Sequence, residues 1–407
     1  MSLIGNQLYI CGRSTSFGSG LVDIVLLKSS LDGNISFINS WGGSSNDACF
    51  DMIINGSWIY IAGETMSFGN GGYDGALLKF DLAGNLIWYK TWGGSWDESF
   101  ISLVTYGDYV YVAARTRSFG SGDFDIVLLK YDSNGNKLWE EIWGGSGWDE
   151  PSKIIIYNDY IYIVGSTASY GSNTDLVLLK YDLNGNLIWY KTWGGDDIDA
   201  GFDIVAYNGY LYVTGFTFSF GNSSQIVLLK FDLDGNVEWF SLWGGSNQDR
   251  GKSIGISNNE IYIAGYTSSI NDNVDAVILK YSIDGTLLGE FYWGGSGEDV
   301  PRRLIIDEEY VYITGWSNSY SNDFQLFLLK INSSFSGITI GSGGGGSNVP
   351  PSGEEPGGGY NGTPPSGEEE TSTSQSVNVF PVGASPVAAL LAPVSYTHLT
   401  LPTTERV

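Results

Sequence analysis

Carboxylates recur at one place in this sequence. Asp47, Asp97, Asp149, Asp199, Asp249 and Asp299 each follow a Trp-Gly-Gly by five or six residues, and six carboxylates placed alike could gather the oxygen ligands that a hard cation needs. An Asp just before a strand more commonly accepts backbone N–H groups of the turn that precedes it, and we read these as turn acceptors. Two stretches, Asp132 to Asn136 (DSNGN) and Asp232 to Asn236 (DLDGN), have a faint likeness to a calcium loop. Their glycine comes two positions too early and no distal Glu follows, so hairpin turns account for them better. Glycoside hydrolysis needs only two carboxyl groups, and Asp51, Glu64, Glu98, Glu150 and Asp203 are acidic residues that depart from the repeating pattern. No spacing in the sequence pairs them. The single histidine, His398, stands nine residues from the end, so the rest of the chain lacks the side chain most used for proton transfer near neutral pH. We expect no cofactor, no metal and no enzymatic activity. A carboxylate-based polysaccharide hydrolase stands as an alternative.

Variation at a fixed position says more about binding. The second residue of a recurring Gly-x-Thr-x-Ser reads Arg13, Glu64, Arg115, Ser166, Phe216, Tyr266 and Trp316. Aromatic and Arg side chains are frequent anchors of recognition, so Phe216, Phe218, Tyr266 and Trp316 are candidate stacking residues, with Arg115 and Arg117 across from them. The competing reading packs these side chains between neighbouring structural units. Asp51, Lys153, Asp203, Lys252, Arg302 and Arg303 also vary, as charged residues lining a wet channel would.

These positions have meaning only within a repeat. Trp-Gly-Gly starts at Trp41, Trp92, Trp143, Trp193, Trp243 and Trp293, and Leu-Leu-Lys or Ile-Leu-Lys ends at Lys28, Lys79, Lys130, Lys180, Lys230, Lys280 and Lys330, with a period of 50 or 51 residues. One unit reads as four strands. Trp58 to Ser67, Asp74 to Phe80 and Leu86 to Trp92 are rich in aromatic and β-branched residues, and a fourth run follows the recurring acidic residue. Pairs such as Asn134-Gly135 and Asn184-Gly185 mark tight hairpin turns. No segment has helical periodicity. Seven units of four antiparallel strands predict an all-β fold, a seven-bladed β-propeller over residues 1–340.

The order Trp-Gly-Gly-Ser, Asp, a strand, Tyr-x-Tyr-x-x-Gly-x-Thr-x-Ser, Asp-x-x-Leu-Leu-Lys, Gly-Asn and Trp resembles the SBBP-type seven-bladed β-propeller repeat of prokaryotic secreted and surface proteins. The resemblance covers residues 1 to about 331. It implies a scaffold and supplies no catalytic residues.

With 45 acidic and 19 basic residues the formal charge is −26, which repels phosphate backbones and excludes nucleic acid as a natural partner. Six of those acidic residues and one basic residue follow Ser336, so the repeats themselves carry −21. No signal peptide or membrane span is visible. Met1 aligns inside the first unit's inner strand, so we expect the native protein to start earlier, with that blade truncated. Residues 341–376, rich in Gly, Pro, Ser and Glu, read as a disordered linker. Residues 377–393 form an apolar segment that could begin an anchor now cut off. Residues 394–407 include VSYTHLTLPTT, which looks like translated adapter sequence, and that would make His398 non-native. Cys11 and Cys49 are read as small buried thiols, with a disulfide as the alternative in an exported protein. Sequons begin at Asn34, Asn55, Asn222, Asn332 and Asn361. The resulting expectation is an extracellular or cell-surface monomer, a binding scaffold for a glycan or a surface protein. A purely architectural surface-layer element is the other alternative.

Overall fold

In a computed structural model the chain forms the seven antiparallel blades of a propeller, six of four strands each at residues 2–41, 47–92, 98–143, 149–193, 199–243 and 249–294, and a seventh whose first three strands lie at 299–332 and whose fourth is Ser376–Val379. The structure describes residues 1–342 except 32, 172, 271–272, 308 and 321–322. Beyond these it describes only two short strands, Ser376–Val379 and Val394–Ser395. The linker, anchor and tail expected over 341–376, 377–393 and 394–407 otherwise lie outside the described residues.

Blade 4 shows how sequence sets strand position. Its inner strand Asp149–Tyr157 is followed outward by Tyr160–Thr167, Asp175–Asp182 and Leu187–Trp193. The third strand, DLVLLKYD, is buried on both faces because a blade lies against each side of it. The outer strand, LIWYKTW, is largely exposed, and its Lys and aromatic residues cover an edge that water reaches. Core is therefore made between blades. One cluster joins Tyr111, Ile126 and Leu128 of blade 3 to Ile154, Ile163 and Leu179 of blade 4. The Trp residues of Trp-Gly-Gly pack on rings of the following blade: Trp143 meets Tyr170 and Tyr190 at 5.0 and 5.3 Å, and Trp243 meets Tyr292 at 6.3 Å. The repeated Lys also reaches forward. Lys180 lies over the Tyr160 ring at 4.3 Å and donates to the Leu233 carbonyl of blade 5 at 2.9 Å.

Blades 7 and 1 meet through Leu8, Tyr312 and Leu328, with Leu3 and Ile305 beside them. Blade 7 departs from the pattern at its outer edge. Residues Gly337–Ser342, which follow its third strand, pair in parallel with Leu287–Gly294 of blade 6. Ser376–Val379 pairs with blade 7's third strand instead. The reason lies in the turn. Gly285 and Gly235 have φ of 88° and 79° in the corresponding hairpins of blades 6 and 5, whereas this position is Phe335 in blade 7. A bulky side chain resists that backbone conformation. Phe335 packs against Tyr262 and Phe291 of blade 6 instead, drawing the chain to that blade.

Candidate functional site

The inner strands of blades 2 to 7 begin on the face that carries the Trp-Gly-Gly turns. The recurring acidic residue holds these turns closed. Asp149 accepts from Gly145 N at 2.8 Å, from Ser169 Oγ at 2.6 Å and from Thr167 Oγ1. A Cβ added to Gly144 would sit 2.0 Å from Asp125 Oδ1 and 2.8 Å from Asp149 Oδ2, so only glycine fits between the two carboxylates. In blade 3 the expected Asp97 is not the turn acceptor. Glu98, the sixth residue after Trp92, accepts from Thr116 Oγ1 at 3.0 Å and Ser118 N at 2.9 Å, while Asp97 accepts from Tyr73 N of blade 2. The DSNGN stretch is a hairpin turn: Asp132 Oδ1 accepts from Asn134 N and Asn136 N. Among the described residues no three metal-ligating side chains gather at one point.

Two residues after the start of each inner strand, in blades 2 to 7, the register slips by one residue. The residue left over is Phe50, Ile101, Ser152, Phe202, Lys252 or Arg302. Such a bulge re-aims the side chain it frees. The next residue inward forms a second layer, Asp51, Ser102, Lys153, Asp203, Ser253 and Arg303. Lys153 Nζ lies 2.7 Å from Asp51, Arg303 lies 3.5 Å from Asp51 and 3.4 Å from Asp203, and Ser102 and Ser253 donate to the same carboxylates. This layer is balanced in charge. Burial alone would push the Asp51 carboxyl up, but Lys153 and Arg303 outweigh it and hold the group below the usual carboxylate range.

The mouth above that layer is not balanced. Arg115 pairs with Glu150 at 2.5 Å and lies 4.7 Å from the Phe124 ring; Arg117 lies equally near that ring and pairs with Asp123. Across the ring, Phe216 is buried against Phe202 at 5.4 Å and Phe218 at 5.7 Å, and Arg250 stacks on it at 4.2 Å. Lys252 Nζ is 3.8 Å from the Phe202 ring and 5.6 Å from that of Tyr266. Tyr266 and Trp316 are half-buried, and Trp316 meets the exposed Phe324 edge-on at 4.8 Å. Of the candidates named from the sequence, Phe216, Phe218 and Tyr266 thus share one sector, Trp316 lies on the next blade, and the two arginines are engaged opposite. Nothing in the repeat pattern joins Arg250 and Arg13 to Lys252 and Arg302; the bulge that frees Lys252 and Arg302 is visible only in the register.

Burial first, then the nearby Arg302 and Arg250, lower the Lys252 ammonium to about 7. On the other side burial pushes the Glu64 carboxyl up, against a hydrogen bond from Ser99 and the attraction of Arg115 and Arg13. An amine shifted down and a carboxyl shifted up are group types that acid–base catalysis uses.

Cys11 of blade 1 and Cys49 of blade 2 form a disulfide with Cα atoms 6.2 Å apart. The reading of two free thiols is thereby replaced by its alternative, because the second strand of blade 1 lies directly against the inner strand of blade 2.

Residues 160–187 and 256–287 match the family described as a β-propeller domain of unknown function, DUF5122. No curated protein matches the sequence. Among solved structures, the periplasmic gluconolactonase of Pseudomonas aeruginosa is similar at a TM-score of 0.53 and 11% identity, over 79% of this chain and 92% of that one. Candidate 6-phosphogluconolactonases of Bacteroides uniformis and Bacteroides fragilis align at 0.48 with 12% and 15% identity. They cover 80% and 83% of this chain and 95% and 98% of their own. The likeness to the Pseudomonas protein shows the fold, and with the family match it places the chain among β-propeller proteins. It also corrects one expectation. The absence of histidine from the repeats and of paired carboxylates leads to an expectation of no enzymatic activity, yet a fold similar to this one occurs in a protein named as a gluconolactonase, so the fold is no argument against catalysis.

Proposed function

We propose that this protein is an extracellular or cell-surface ligand-binding propeller of the SBBP type, and that a carbohydrate occupies the channel mouth on the Trp-Gly-Gly face. One observation carries the reading: within an otherwise regular repeat, Phe202, Tyr266 and Trp316 of three successive blades bring accessible ring surface to the mouth beside cations that no carboxylate among the described residues engages. Flat rings offer a sugar's C–H face a large apolar contact at low entropic cost. The Cys11–Cys49 bridge supports an oxidising compartment, and a ring whose surface is strongly acidic suits a soluble exported domain.

A glycan array probed with the full chain tests this. Binding to a restricted set of sugars is expected, weakened about tenfold or more by Tyr266→Ala or Trp316→Ala in variants whose circular dichroism is unchanged. Absence of binding across neutral, acidic and sulfated glycans overturns it.

A further inference from the structure

We infer that Arg250, Lys252 and Arg302 form a seat for one anionic group, a carboxylate or sulfate carried by the bound sugar; this rests on the reading of the mouth as a carbohydrate site. The case begins with placement. Lys252 and Arg302 are the bulged residues of blades 6 and 7, freed from the strand ladder and brought side by side at the channel mouth. Arg250 stands two residues before Lys252 on the same strand, paired across the ladder with Tyr266.

Charge accounting makes the cluster unusual. In a chain of 45 acidic and 19 basic residues, almost any cation should find a carboxylate. None of the ion pairs among the described residues involves Arg13, Arg250, Lys252 or Arg302. The carboxylates just below, Asp51 and Asp203, are already engaged by Lys153, Arg303, Ser102 and Ser253. Arg250 Nε is buried with no hydrogen-bond partner among the described residues, a donor left waiting for an acceptor.

The groups facing Lys252 are Arg250 and Arg302, which repel it, and the Phe202 and Tyr266 rings. Those facing Arg302 are Arg13 and Arg303, which repel it, and Tyr266. Glu298 and Asp249 act on Tyr266 from the surrounding turns. Like charges held together beside apolar rings cost stability, and an anion between them removes that cost. Guanidinium and ammonium donors converging from two blades suit an oxyanion with several acceptor oxygens.

Two sets of titrations test the inference with the full chain. In the first, sodium sulfate is compared with sodium chloride at equal ionic strength. Sulfate is expected to raise the melting temperature of the wild type above the chloride value, and to lose that excess in Lys252→Met and in Arg302→Met. Equal effects of the two salts, or an excess retained in both variants, overturn the anion seat whatever sugars do. In the second, calorimetry compares oligogalacturonate, sulfated galactan oligosaccharide and neutral galacto-oligosaccharide. A preference of about tenfold or more for one charged probe over the neutral one identifies the anionic group and is expected to shrink with added salt. Equal binding of neutral and charged sugars overturns the inference while leaving the carbohydrate reading standing. A sulfate response without binding of any sugar retains the seat and overturns the carbohydrate reading.

Discussion

Lys153 Nζ lies 2.7 Å from the Asp51 carboxylate although the two residues are 102 apart in sequence and belong to blades 4 and 2. Ser102 of blade 3 donates to the same carboxylate at 2.6 Å, so three blades are tied at one buried oxygen pair. We predict that Lys153→Met destabilises the fold by about 1–3 kcal/mol at pH 7, less than the loss of a sole partner because Arg303 stays within 3.5 Å. The pH dependence follows from the lowered Asp51 value. A carboxyl held below its unfolded value stabilises the fold above that unfolded value, near 4, and the contribution fades as pH falls through the folded one. Urea unfolding at pH 7 and pH 3 checks this: the gap between wild type and variant narrows at the lower pH.

The Cys11–Cys49 bridge closes a loop with a sequence separation of 38 between blades 1 and 2. Chain-entropy reasoning assigns such a loop about 2–4 kcal/mol. The effect bears on ring closure, because blade 1 has an inner strand of only three residues, Ser2–Ile4, against nine in blades 2 to 6. Reducing the protein is expected to move its denaturation midpoint down, and a Cys11→Ser, Cys49→Ser double variant is expected to start at that lower midpoint and show no response to reductant. Equal midpoints with and without reductant in the wild type contradict the prediction.

Sequence reading carried the fold because the units repeat the same local conflict-free choices: Tyr-rich second strands, and, in the first six units, a hairpin glycine and the Trp of Trp-Gly-Gly. It failed where a single residue overrode the pattern. Asp97 and Glu98 are adjacent acids, and only the turn's geometry shows that the longer side chain at Glu98 reaches Thr116 and Ser118. Phe335 in place of a hairpin glycine redirects the chain to blade 6, a choice made by available apolar contacts in Tyr262 and Phe291. The mouth was half legible. Phe216 and Tyr266 stood out by departing from the repeat, but Phe216 spends its ring on Phe202 and Arg250. The grouping of Arg250, Lys252 and Arg302 depends on a one-residue register slip, and a slip in a strand changes which side chains share a face.

Lys252 offers the sharpest separation of stability from function. Its amine is lowered from the ordinary 10.5 to about 7, chiefly by burial and then by Arg302 and Arg250. For a base whose folded value lies below its unfolded one, the destabilisation is complete below the folded value. It disappears as pH rises toward the unfolded value, because the unfolded chain holds the extra proton in between. Lys252→Met removes the charge that lies over the Phe202 ring and keeps an unbranched side chain that can cover the same apolar surface. We therefore predict that this variant is more stable than the wild type by about 1–2 kcal/mol at pH 6, a figure kept small because the mouth opens to water. The advantage shrinks between pH 7 and pH 10. Paired urea titrations at pH 6 and pH 10 measure it, and a variant less stable than the wild type at pH 6 would show that Lys252 is held by attractive contacts rather than strained by its neighbours.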